Sequence, residues 1–85
     1  MAETKVGLIT HYFGKLEVAV VKATEGPIAV GDTIHIKGHT SDCTQVVESL
    51  EVEHHSIPRL EVGQDAGMKV RCHVHEHDEV FKVTD

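Results

Sequence analysis

Val20-Val21-Lys22-Ala23-Thr24-Glu25-Gly26-Pro27-Ile28-Ala29-Val30-Gly31-Asp32-Thr33-Ile34-His35-Ile36 is the stretch that decides the fold class of this chain. It opens as a β-branched run, breaks at Gly26-Pro27 and again at Gly31-Asp32, then leaves in alternation. Ile34 and Ile36 fall on one side, and Thr33, His35 and Lys37 on the other. A period of two is the pleat of a strand buried on one face. Glycine, proline and aspartate between the runs supply turn chemistry. The stretch reads strand, turn, strand.

Working outward, short β-branched runs punctuated by Gly, Pro and Asp fill the rest, and no window carries apolar residues at helical spacing over three turns. The pattern predicts strands over 4–13, 15–23, 32–38, 43–54, 67–75 and 79–84. Six strands in one unit of residues 1–85 predict an all-β fold, a small antiparallel closed β-barrel. Met68, Val70, Cys72 and Val74 are expected to face inward, and Lys69, Arg71, His73 and His75 outward. The first two strands are apolar on both faces, which predicts burial on both sides or a surface that meets a partner. The segment 43–54 changes phase as a bulged strand does. Gly14 suits a tight reversal at positive φ, and residues 55–66 form the longest loop. No internal repeat is visible.

The 85 residues are 40% hydrophobic and include three aromatics, Tyr12, Phe13 and Phe81, so the core must be aliphatic. Met1 to Lys5 carry no apolar leader, and the longest aliphatic run is Val18–Val21, far short of a membrane span; the expected location is the cytoplasm. Cys43 and Cys72 belong to no CxxC pair and read as buried free thiols. The formal charge of −6 falls entirely on residues 38–85, whose acidity turns nucleic acid away; no DNA partner is expected.

The run from Val20 to Ile36, followed in order by Ser49-Leu50-Glu51-Val52, Val62-Gly63-Gln64 and Ala66-Gly67-Met68-Lys69-Val70, resembles the second domain of elongation factor Tu and its relatives among the translational GTPases. His11-Tyr12-Phe13-Gly14-Lys15 and Ile36-Lys37-Gly38-His39-Thr40 look still more like small stand-alone elongation-factor-like proteins. Similar barrels also occur as the C-terminal domain of collagenase-like peptidases. The first resemblance implies the translation-factor type of barrel and a protein or RNA partner from the translation machinery. No Gly-x-x-x-x-Gly-Lys-Ser/Thr phosphate loop is present, so neither GTP nor another cofactor is expected.

His11, Tyr12, Phe13 and Lys15, with Lys37 and His39 on the adjacent turn, combine rings with positive or neutral charge in the non-acidic half. They are the partner-binding candidates, suited to stacking on a base or meeting a protein. His73 and His75, joined by His77, would share one face of a continuing strand, where Glu51 or Glu53 could add a carboxylate; metal binding is the alternative function. The bland reading, solvated outer positions, leaves the metal-ligand set empty. No spacing establishes a nucleophile with its base, so no catalytic residue is assigned. The sequence thus predicts a non-catalytic binding module associated with translation.

Overall fold

A computed structural model describes residues 2–84. Strand β1 (Ala2–Phe13) is the spine, pairing antiparallel with β10 (Glu79–Thr84) along its first half and with β2 (Val18–Ala23) along its second. Its registers shift between Lys5 and Gly7 and between Ile9 and His11. Each bulge resets the pleat, so Val6 and Ile9, three residues apart, are both buried. This accounts for much of the two-faced apolarity of the first strand. In β2 the burial alternates: Ala19 and Val21 are buried, while Val18 and Val20 lie half-buried on the outer face.

Around this spine run β3 (Ile28–Ala29), β4 (Thr33–Lys37), β5 (Asp42–Val46), β6 (Leu50–Val52), β7 (His55–Ser56), β8 (Arg59–Leu60) and β9 (Asp65–Lys69). Eight strands form one sheet in the order β5-β4-β10-β1-β2-β9-β6-β7, and β3 pairs with β8 in a second, two-stranded sheet. The all-β expectation holds, but six strands become ten in two sheets. Segment 43–54 divides into β5 and β6 on opposite flanks, the strand expected over 67–75 ends at Lys69, and the long loop contains β7 and β8. The core is aliphatic, with Ile9, Ile28, Ile34, Ile36, Leu50 and Leu60 fully buried.

Among the described residues no backbone ladder closes the main sheet; β5 and β7 are its edges. β5 is tied to the chain leaving β9 by side chains instead. Buried Gln45 donates from Nε2 to the Lys69 carbonyl at 2.9 Å and accepts the Arg71 N–H on Oε1 at 2.9 Å, so one amide does the work of a peptide group. Beside it Cys43 and Cys72 form a disulfide, with Cα atoms 6.6 Å apart. The free-thiol expectation is thereby corrected: β5 and the chain beyond β9, distant in sequence, bring the sulfurs together. A crosslink spanning 29 residues stabilises by about 3.5 kcal/mol in the chain-entropy account.

The first hairpin turns over four residues, 14–17, and its positive φ of 55° falls on Glu17, not on Gly14. Three other turns share one construction. In residues 29–32, 61–64 and 75–78 the fourth residue's N–H donates to the first residue's carbonyl, at 3.0, 3.0 and 3.2 Å. The fourth side chain accepts from the first residue's N–H: Asp32 from Ala29, Gln64 from Glu61 and Asp78 from His75, at 2.9, 2.9 and 2.8 Å. The third residue has positive φ: 99° at Gly31, 94° at Gly63, 73° at His77. Each turn docks through a reciprocal backbone pair on a fully buried aliphatic residue, respectively Val47, Ala23 and Ile9. A strand begins one residue later every time, at Thr33, Asp65 and Glu79. The chain thus contains a structural repeat that its sequence shows in two places and hides in the third.

Candidate functional site

The third turn forms one wall of a groove on the outer face of β1, β10 and β4. Leu8, Glu79 and Lys37 lie side by side in one cross-strand row, and Lys5, Phe81 and His35 in the next. The pleat puts both rows on one face. Lys5, Leu8, Lys37, Gly38, His39, His77, Glu79 and Phe81 line an open groove of about 590 Å³. Half-buried Leu8 and Phe81 supply its apolar surface.

Charge in the groove is unevenly matched. Lys5 Nζ lies 2.9 Å from Glu79 Oε2, and this hydrogen-bonded pairing raises the lysine pKa above its ordinary value. Lys37 makes no ion pair among the described residues, and His39 and His77 are exposed beside it. Next to Phe81, His35 is clamped. Nδ1 lies 3.0 Å from each Glu3 carboxylate oxygen and Nε2 meets Asp42, while the ring centroid is 6.4 Å from that of Phe81. Hydrogen bonds from Glu3 and then Asp42 raise the imidazole pKa against the opposing pull of burial. With an acceptor at each nitrogen, the charged ring is the favoured form.

A second cluster borders the groove behind the turn. Tyr12 packs half-buried on the core, its ring 4.8 Å from His73, and His73 is 4.8 Å from His75. His75 Nδ1 lies 2.9 Å from buried Ser41 Oγ and 4.0 Å from Asp78 Oδ2. Hydroxyl and carboxylate approach the same ring nitrogen, whereas a proton relay needs one at each. The serine and histidine tie the β4–β5 turn to the loop over 70–78.

Of the six sequence-based partner candidates, Lys37 and His39 enter the groove. His11 and Phe13 stack at 4.6 Å on the outer face of β1, Tyr12 points the other way, and Lys15 sits in the first hairpin turn. His73, His75 and His77 lie in a loop and not on a strand; no group of three His, Cys, Asp or Glu side chains placed for a metal occurs among the described residues. Glu51 pairs with Gly67 and Ser56, on a different part of the sheet. Sequence reasoning missed Lys5, Leu8, Glu79 and Phe81 because their meeting depends on the β1–β10–β4 register, and it read His77 only as a metal candidate. The visible signal was Leu8 and Phe81, apolar residues on outward phases.

No model of a known protein family matches the chain. An uncharacterized protease of Methanocaldococcus jannaschii is 30% identical over 78 residues, covering 91% of this chain and 19% of the relative. The chain therefore spans about a fifth of that protein's length. The crystal structure of the C-terminal domain of a candidate U32 peptidase from Geobacillus thermoleovorans superposes with a TM-score of 0.85 at 21% identity, covering 93% of this chain and 91% of that one. Its selenomethionine variant gives 0.82 at 20% identity, over 89% and 95%.

These likenesses correct the expected identity. The sequence likeness is to a protease and the fold likeness to the C-terminal domain of a candidate U32 peptidase, and neither is to the second domain of elongation factors. The translation-associated function loses its support with that identity, and the metal-binding alternative loses its own because His73 and His75 lie in a loop. The expectation of a non-catalytic module is likewise corrected, since the relatives carry protease and peptidase names. The two Val-Gly turns that carried the elongation-factor resemblance are general turn chemistry. No helix among the described residues is long and apolar enough to cross a membrane. The chain is similar in sequence to a stretch of an uncharacterized protease, and in fold to the C-terminal domain of a candidate U32 peptidase.

Proposed function

We propose that this chain serves proteolysis of the U32 type, as a C-terminal β-domain acting with a peptidase portion that lies outside these 85 residues. The observation that carries the reading is the 30% identity to a protease over 91% of the chain, together with the fold it shares with a U32 C-terminal domain. On the same reading the curled main sheet behaves as a closed barrel. Gln45 and the disulfide hold its seam, giving the groove a rigid backing.

Reconstitution tests this. The M. jannaschii protease, with and without its 78-residue matching segment, is assayed on fluorescein-labelled casein, and this chain is added to the truncated enzyme. Truncation is expected to slow cleavage roughly tenfold, equivalent to about 1.4 kcal/mol, and addition of the chain to restore part of it. Equal rates from the full and truncated enzymes, with no effect of the added chain, would end the proposal.

A further inference from the structure

We infer that the groove between the 75–78 turn and β4 receives the free C-terminal end of a polypeptide. The choice of a peptide's end over other carboxylates rests on the proposed role in proteolysis, which creates such ends.

Three features lead there. First, the 75–78 turn places a histidine at the positive-φ position where its two counterparts have glycine. A side chain at positive φ costs of order 1 kcal/mol, and such strain concentrates at binding sites. His77 is a wall of the groove. Second, Lys37, His39 and His77 are grouped around Gly38, and Lys37 has no acidic partner among the described residues. That group can donate charge-assisted hydrogen bonds to one carboxylate. Third, Leu8 and Phe81 offer apolar contact beside it for a terminal side chain, and the Lys5–Glu79 pair can meet the preceding peptide groups. The groove's 590 Å³ suits a few residues and not a folded partner. Glu79 on the groove wall is paired with Lys5, and the Asp78 carboxylate lies against Gly38. With the protein's net charge of −6, these disfavour a polyanion and leave Lys37 for a single carboxylate.

The test is a titration of the isotopically labelled chain, followed by amide chemical shifts. The probe is an N-acetylated hexapeptide ending in two leucines, either as the free acid or as the C-terminal amide. Saturable shifts centred on Leu8, Lys37, Gly38, His39, His77 and Phe81 are expected with the acid, and binding roughly tenfold weaker with the amide. Lys37→Ala and His77→Gly should each weaken the acid severalfold, with Lys37→Arg recovering it; unchanged spectra away from the groove show that the variants fold. Equal binding of acid and amide, shifts centred elsewhere, tighter binding of a short RNA than of the peptide, or no shift at millimolar peptide would each overturn the inference. The titration uses no protease, so its outcome is read separately from the reconstitution.

Discussion

The turns at 29–32 and 61–64 and the turn at 75–78 reach one geometry from different sequences. Ala29-Val30-Gly31-Asp32 and Glu61-Val62-Gly63-Gln64 put glycine where φ turns positive; His75-Glu76-His77-Asp78 puts an imidazole there. Glycine enters that region without steric cost, whereas a Cβ crowds the neighbouring backbone. The third turn survives because its surroundings over-determine it. His77 N–H donates to the Ile9 carbonyl at 2.7 Å, Ile9 N–H donates to the Asp78 carbonyl at 2.8 Å, and Asp78 itself is buried. All three turns dock in this way, so what sets the third apart is its buried cap, Asp78, which holds the turn with an imidazole in place of glycine.

The sharpest way to break this comparison is to remove the buried cap. Asp78→Ala leaves the His75 N–H without its acceptor, and chemical denaturation should report a loss of about 2–3 kcal/mol. Gly31→Ala and Gly63→Ala come next. The added methyl meets nothing within 4 Å at either site, so the expected loss of about 1–2 kcal/mol isolates the backbone conformation. A loss at only one of them would mean that the two turns are not equivalent.

The caps of the two glycine turns should differ. Asp32 also meets Lys82 Nζ at 3.3 Å in a half-buried pair, whereas Gln64 caps an exposed turn only. Asp32→Ala is expected to cost about 1–1.5 kcal/mol and Gln64→Ala about 0.5 kcal/mol. His77→Gly runs the other way: thermal melts should show a gain of about 0.5–1 kcal/mol from relieved strain, alongside the weaker peptide binding expected above. Stability unchanged or lowered by that substitution would remove strain from the account of the groove.

The smallest effect is a slope with pH. The raised pKa of His35 gives a stabilisation fully present below its ordinary 6.5 and lost as pH rises through the higher folded value. Stability should therefore decline over that window, His35→Gln should flatten the decline, and the differences among the turn variants should stay constant.

Much of the fold was legible because turn chemistry and strand alternation are local. Ile34, Ile36 and Met68 are buried as their period requires, Val70 and Val74 stay buried though the strand has ended at Lys69, and the Val-Gly-Asp and Val-Gly-Gln turns lie where glycine announces them. Legibility ended where distance in sequence mattered. The disulfide, the Gln45 seam and the division of 43–54 all depend on β5 curling toward the end of β9. Half of the groove came from residues whose roles exist only in register, as Leu8 beside Glu79 and Lys5 beside Phe81.

By itself, then, the sequence determined an all-β chain with an aliphatic core, since a two-residue period and glycine at positive φ are properties of adjacent residues. The tertiary structure alone decided that His77 turns like a glycine, that two cysteines meet, and that lysine, histidine and phenylalanine from three strands share one groove. Those outcomes follow from which strands pair and in what register, and pairing is settled by the whole core being buried at once.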